Sequence, residues 1–440
     1  MTAAPPVEPA EPHRVLDLAL RAGEVLLSGG AGASDVTATC VAIAEACGLS
    51  RLECDVTFTS ISVAWQPSLD AAPVSGMRLV RSRALDYTRV TAVHNLVDDL
   101  VEQRIDRPEA ARRLREVVTA RHPYRRPVVT TARASLAASV AVLLGAGPAV
   151  TAAAFGATVV IDLVNRWLHR KHVPLFYQNV AGGFVATAVA LGLVAADVGV
   201  RPALVVAGGI VLLLPGVTLV GAVQDAITEF YVTASARAFE TFLLTAGIIS
   251  GVALALSVGQ RLGVSVRIGD PPAAGLRDVP LQLLAAALVS ASFAVANYAP
   301  RRTVPGVAAA GAVGWATFVA VDRLQVSATL ATAAAAVVLG LGAYRFAHRQ
   351  HAPALVYVAG GILPLLPGLV IYRGMRRLAE GDTLAGIALL GQAVSVGLAL
   401  AAGAILGQFL AQPGRRDVAR RDRRMAGPRL AGPLRWRRHD

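Results

Sequence analysis

Cysteine is scarce, with Cys40, Cys47 and Cys54 the only three in 440 residues. Their even spacing of seven is not a zinc-ligand spacing, and an odd number gives no support for a disulfide framework. On a helix Cys40 and Cys47 would share one face, as small core residues do. A phosphate-binding loop is also missing. Gly29-Gly30-Ala31-Gly32 follows no expected strand and lacks the Walker spacing with its lysine, which argues against ATP-driven work. The stretch from Met1 to Pro12 is polar and proline-rich and shows no basic-then-apolar pattern of a cleaved secretory peptide. Acidic residues are outnumbered, 29 against 42 basic ones, for a formal net charge of +13. That surplus does not indicate nucleic acid, because no base-reading module accompanies it. Ten arginines cluster between Arg415 and Arg438, after the last apolar run. Such a tail reads as a cytoplasmic anchor facing anionic lipid. His94 and Asn95 are expected to begin a helix, and no nucleophile lies at a recognisable spacing from them. No catalytic group, metal or cofactor is therefore expected.

What is present is apolar sequence, 55% of the chain, unevenly distributed. Residues 1–133 carry charges throughout, whereas residues 134–412 form successive runs rich in Ala, Val, Leu and Gly. Runs of about 20 such residues read as membrane helices. The expected fold is a polytopic α-helical membrane protein of about ten transmembrane helices, preceded by a small soluble α+β domain. A disordered leader is expected at 1–13, and the soluble domain with its basic junction at 14–133. Within that domain, Arg14 to Ser28 has helical spacing, and Ser34 is a candidate cap for a second helix ended by Gly48. Cys54 to Ala64 alternates as one strand, with Met77 to Ser82 as its pairing strand. The spans are expected at 134–149, 150–168, 174–196, 202–223 and 236–260. After a loop at 261–280 come 281–299, 304–321, 326–346, 354–375 and 383–410, followed by the basic tail at 411–440.

One nine-residue stretch occurs twice in these spans. Gly208-Gly209-Ile210-Val211-Leu212-Leu213-Leu214-Pro215-Gly216 is matched by Gly360-Gly361-Ile362-Leu363-Pro364-Leu365-Leu366-Pro367-Gly368. Both copies follow Pro-Ala-Leu-Val, at Pro202 to Val205 and Pro353 to Val356. Pro215 and Pro367 have no amide to donate, so each frees a carbonyl that lipid cannot satisfy. Each copy falls in the fourth span of five. With an odd number of spans per half, two similar halves insert in opposite senses, as two inverted five-helix repeats with a pseudo-two-fold axis in the membrane plane. Matched interrupted helices in two such halves point to a transport site. Basic residues flanking the first, second, sixth and eighth spans place both termini inside, while Arg373, Arg376 and Arg377 fall on the opposite side.

The residues also carry a family resemblance. Leu27-Ser28-Gly29-Gly30-Ala31-Gly32-Ala33-Ser34-Asp35, Thr57-Phe58-Thr59-Ser60-Ile61, and Leu214-Pro215-Gly216 followed by Gln224-Asp225 resemble the threonine/serine exporter family. Leu363 to Gly368 followed by Glu380-Gly381-Asp382 is similar to its second membrane half. The resemblance covers about 14–410. It implies a cytoplasmic N-terminal domain, ten spans in a bacterial cytoplasmic membrane, and export of small hydroxy amino acids driven by the proton-motive force. Two-chain relatives linked to succinate keep a dicarboxylate cargo open, and a membrane-anchored small-molecule sensor is the alternative of another class. Homo-oligomerisation stays open too.

The candidate residues follow. Pro215, Gly216, Pro364, Pro367 and Gly368 expose carbonyls and amides at the breaks, which suits an ammonium and a carboxylate together. Gly208, Gly209, Gly360 and Gly361 permit close helix approach. Thr218 and Tyr372 are hydroxyl donors near the breaks. Asp225, which matches an acidic position of the family, leads the candidates for proton coupling. Glu229 lies one helical turn from it, and Asp162 stands alone among apolar neighbours. Asn179, Asn297 and Gln392 are polar groups in or near spans.

Overall fold

The computed structural model describes residues 10–68, 70–81, 84–264 and 279–411. The first nine residues of the expected leader, most of the 261–280 loop and nearly all of the basic tail therefore lie outside the described residues.

The soluble part comprises α1 (Ala10–Ser28), α2 (Ala33–Ala46), β1 (Glu53–Val56), β2 (Ser60–Trp65), β3 (Val74–Leu79), α3 (Tyr87–Val101) and α4 (Arg107–Thr119). The apolar face of α1, with Val15, Leu18, Ala19 and Ala22, is buried against α2 and the sheet. The strands form one antiparallel sheet in the order β1-β2-β3. In β2, Ile61, Val63 and Trp65 are buried and alternate with half-buried neighbours, as a strand with one face on a core should.

Several local expectations need correction. Cys54 to Ala64 is two strands, because the chain reverses between Val56 and Ser60 and Val56 pairs with Ile61. Thr57 makes that reversal, its hydroxyl meeting the Ser60 hydroxyl at 2.8 Å and accepting the Ser60 amide. The third strand runs over Val74–Leu79 rather than Met77 to Ser82. Helix α1 begins at Ala10, inside the expected leader. Ser34 is buried within α2, whose N-cap is Gly32. His94 and Asn95 sit mid-way along α3 rather than at its start.

Helix α3 is capped by Asp86, whose carboxylate accepts the Arg89 amide at 3.1 Å and pairs with His122 at 3.0 Å. Its first amides leave the soluble part. Tyr87 and Thr88 donate to the carbonyls of Asn297 and Tyr298, each at 3.0 Å. Asp86→Ala is expected to cost about 1 kcal/mol through the lost cap. Hydrogen exchange should then quicken at Tyr87 to Val90 first.

The apolar part contains α5 (Arg126–Leu143), α6 (Pro148–Arg170), α7 (Leu175–Ala195), α8 (Pro202–Ile210), α9 (Gly216–Ile227) and α10 (Tyr231–Arg261). It continues with α11 (Val279–Ala296), α12 (Val304–Asp322), α13 (Ala328–Gln350), α14 (Ala354–Gly361), α15 (Gly368–Ala379) and α16 (Thr383–Ala411). Seven helices among the described residues are long and apolar enough to cross a membrane, namely α6, α7, α10, α11, α12 with its preceding 3-10 turn, α13 and α16. The pair α14 and α15, bent by 50°, makes an eighth if it is one span. Leu163, Leu254, Leu284 and Leu398 are exposed on these helices. Hydrocarbon tolerates such a surface where water does not. Helix α5 begins eight residues before the expected first span and carries Arg126 and Arg133, while α8 and α9 have only 9 and 12 residues.

The same packing occurs in both halves. Helix α7 packs on α10, and α13 packs on α16. In the first pair a side chain at Gly251 would strike the Val180 carbonyl, and in the second one at Gly407 would strike the Val337 carbonyl. Glycine at these positions lets the backbones approach closely, as membrane helix pairs do where van der Waals contact drives association. The halves meet where α5 packs on α11, α9 on α16 and α10 on α15.

Candidate functional site

Both copies of the duplicated stretch are broken helices. The first break runs from Val211 to Pro215, where the amides of Leu213 and Leu214 both turn back to the Ile210 carbonyl. The second runs from Ile362 to Pro367, with Leu363–Leu365 in a 3-10 turn. After each Pro-Gly a 12-residue helix begins, and neither N-terminus is capped by a side chain. The Gly216 amide turns back to the Leu214 carbonyl at 2.9 Å, and the amides that follow it in α9, with those of the first turn of α15, keep their partial positive charge.

The breaks touch each other reciprocally. A Cβ on Gly216 would lie 3.2 Å from the Cβ of Leu366, and one on Gly368 would lie 3.1 Å from the Cβ of Leu214. Residue i of one copy thus meets residue j of the other, and j meets i, which is the signature of a two-fold contact. Around this crossing lies a cavity of about 560 Å³, within the usual range of small-molecule pockets. Its wall includes Pro215, Gly216, Thr218, Pro364 and Gly368, so marked residues from both copies meet at one chamber, whereas Pro367 is not on its wall.

The polar groups on that wall come from several helices. Asn179 bonds the Leu244 carbonyl through its amide nitrogen at 3.1 Å, joining α7 to α10. Asn297 bonds the Phe293 carbonyl one turn back, at 2.9 Å. Sequence reasoning missed two groups. Asn165 lines the chamber, and its side-chain oxygen is buried with no hydrogen-bond partner among the described residues. Arg133, read only as part of the basic junction, also lines it and is its one charged wall residue. The available signal was an amide one residue before Arg166, inside an apolar run.

Other candidates lie elsewhere. Gly208 packs against Ala154 and Ala141, Gly209 against Ala186, Gly360 against Val307 and Gly361 against Leu339 and Ala310; none of the four lines the chamber. Tyr372 is buried in the core of the first half, also off the chamber wall. Gln392 is exposed on α16, because the lipid-facing stripe of that helix passes through it. Glu229 is not a helical neighbour of Asp225. Helix α9 ends at Ile227, and Glu229 is exposed with φ of 70°, in the left-handed region. Repulsion between stacked carboxylates therefore has no geometry here.

The two remaining carboxylates are both buried and both paired with arginine. Asp162 accepts from the Thr130 hydroxyl at 2.7 Å, from Arg133 and from Arg166. Asp225, fully buried on α9, pairs with Arg237 of α10 at 3.2 Å. Its other oxygen accepts the Ala33 amide at 3.0 Å, while Arg237 donates to the Ala31 carbonyl at 3.2 Å. The Gly29–Ala33 loop is thereby clamped onto the first membrane half, as the start of α3 is onto the second.

Comparison with known proteins covers both the soluble part and the apolar part. Residues 17–259 match a family model described as "Putative threonine/serine exporter", and residues 282–410 match one described as "Threonine/Serine exporter, ThrE". A protein of Mycobacterium tuberculosis, "Probable threonine/serine exporter", is 36% identical over 417 residues, spanning 93% of this chain and 78% of that protein. The "Threonine/serine exporter" of Corynebacterium glutamicum is 34% identical over 431 residues, spanning 94% and 88%. No solved structure matches the chain. Matches that cover both membrane halves and the soluble domain leave one assignment: the chain belongs to the threonine/serine exporter family.

Proposed function

We propose that the protein is a secondary exporter of L-threonine and L-serine in a bacterial cytoplasmic membrane, working by proton antiport. It is a transporter and not an enzyme. The observation that carries the reading is the chamber where two broken helices cross. It offers amide donors at two uncapped helix starts, the Thr218 hydroxyl, and an acceptor in the Asn165 oxygen. A zwitterion needs donors for its carboxylate and acceptors for its ammonium, close together and without a fixed net charge. Arg133 is already matched by Asp162, which favours a zwitterion over a dicarboxylate. The reciprocal Gly216–Leu366 and Gly368–Leu214 contacts, with the matched glycine-to-carbonyl contacts, support ten spans as two inverted halves. In this arrangement α5 and the α8–α9 pair count as spans, and rocking about the crossing alternates access. Both termini are cytoplasmic, and the soluble domain covers the inner side. The outlying arginines are partly neutralised, since Arg376 pairs with Glu380 at 2.9 Å and Arg377 with Asp382 at 3.5 Å.

Proteoliposomes loaded with labelled threonine test this. Efflux should follow an imposed proton gradient, and unlabelled serine but not succinate should compete in counterflow. Thr218→Val, losing one hydrogen bond of about 1–1.5 kcal/mol, is expected to raise KM roughly tenfold. Succinate competition, or unchanged KM in the variant, counts against the assignment.

A further inference from the structure

A second cavity, of about 310 Å³, lies between the soluble domain and the membrane helices. It shares Leu85, Leu175, Val217, Thr218 and Leu244 with the chamber at the broken helices, so the two spaces adjoin. Its charged wall residues are Asp35 from α2 and Arg237 and Glu240 from α10. Asp225 stands behind Arg237, and the uncharged polar residues on the wall are Ser28, Tyr87, Thr218, Gln224 and Gln408. Asp225 is the carboxylate paired with the Arg237 guanidinium, while Asp35 and Glu240 lie on the same wall. Ala33, the first residue of α2, gives its amide to Asp225, and Asp35 sits in the same first turn, two residues on. The space between them is tight, since a Cβ on Gly32 would lie 3.3 Å from the Gln224 amide nitrogen and 3.5 Å from an Asp225 oxygen.

We propose that Asp35 of the soluble domain and Asp225 of the first membrane half form one proton-binding pair beside the crevice that Arg237 also lines, so that the coupling proton is held across the boundary between the two domains. The proposal deepens the proton-antiport reading above and rests on it. The Arg237 guanidinium is taken up by Asp225, and Asp35, close enough to feel that carboxylate's charge, must take a proton or stay hydrated. The crevice takes up one proton as an O–H bond on a carboxyl oxygen, and releasing it to cytoplasmic water regenerates the carboxylate. Desolvation of the half-buried Asp35 carboxyl, helped by the Asp225 charge, pushes it up to about 7. Because that value is raised, the docked arrangement is favoured by protonation. Its contribution is complete at pH below the ordinary carboxylate range and is lost as pH rises through about 7. The soluble domain, whose role the sequence leaves unassigned, becomes a working part of the antiporter.

The test is threonine transport by the full-length protein in proteoliposomes, read two ways. Gradient-driven efflux needs the proton to move, whereas threonine counterflow needs only the substrate to cross. Wild-type efflux should show a pH inflection near 7. Asp35→Asn is expected to lower the gradient-driven rate about 100-fold, the lower end of what a proton-transfer group contributes, while retaining counterflow. Asp35→Glu should restore the driven rate with a shifted inflection. If Asp35→Asn keeps driven efflux with an unshifted profile, or if a monodisperse Asp35→Asn protein loses counterflow as well, the proposal fails. Should that variant not fold, an unshifted inflection in Asp35→Glu overturns the proposal equally. Wild-type counterflow without any response to the gradient would instead sink the antiport reading on which it rests.

Discussion

Arg237→Ala is expected to lower the stability of the purified protein by about 3–5 kcal/mol, the cost of leaving a buried charge uncompensated. Asp225 is fully inaccessible, and the Arg237 guanidinium lies 3.2 Å from its carboxylate. Removing the arginine leaves the Ala33 amide as the surviving bond of those described above to that carboxylate. The same change frees the Ala31 carbonyl, so both ends of the Gly29–Ala33 clamp loosen together. Two measurements separate these effects. Thermal unfolding in detergent should show the large loss for Arg237→Ala and a clearly smaller one for the double variant Asp225→Ala/Arg237→Ala, since neither charge is then stranded. Limited proteolysis should find new cleavage between Leu27 and Asp35 in the single variant. Additive losses in the double variant would mean that the two side chains do not interact.

Gly216→Val is expected to slow export roughly 100-fold in protein that still purifies normally. Overpacking by a branched side chain costs about 1–3 kcal/mol. Here the Cβ alone would already meet Leu366 at 3.2 Å. Two broken helices that move against each other need clearance at their crossing, so jamming it penalises one access state relative to the other. A difference of about 2.7 kcal/mol is a hundredfold in that equilibrium. The contact is reciprocal, which gives the idea an internal check. Leu366→Ala should rescue Gly216→Val, and Leu214→Ala should rescue Gly368→Val, whereas the crossed combinations should not. Full activity in Gly216→Val, or rescue by the wrong partner, would remove the crossing from the mechanism.

Much of the membrane architecture was legible in the sequence, because hydrocarbon imposes its demand residue by residue. Every backbone group needs a partner, so Pro215 and Pro367 mark their helices as broken before any packing is known. The doubled Gly-Gly and Pro-Gly pattern was legible for the same reason. Local boundaries were less so. Thr57-Phe58-Thr59 contains no Gly, Pro or Asn, and the hairpin turn there was hidden inside a period-2 pattern. Helix α5 was placed late because Arg133 looked like the end of a soluble junction. In the fold it reaches Asp162, 29 residues on, and becomes part of a buried ion cluster. Gln392 looked like a polar group inside a span, but its direction depends on which face of α16 meets α13, and that is a property of the pair.

The sequence alone determined that this chain has a soluble part and an apolar part, that the apolar part carries one interrupted helix twice, and that it resembles the threonine/serine exporters. Each of these rests on local chemistry: burial of apolar runs, the missing proline amide, and motifs in fixed order. Only the tertiary structure decided that the two interruptions meet face to face around one chamber, that Asn165, whose buried oxygen has no partner among the described residues, lines it, and that Asp225 and Arg237 hold a loop from the other end of the chain. Those contacts join residues separated by 150 positions between Gly216 and Leu366 and by 192 between Ala33 and Asp225. Pairing at such separations is fixed by how whole helices pack, and no local pattern in either partner specifies the other.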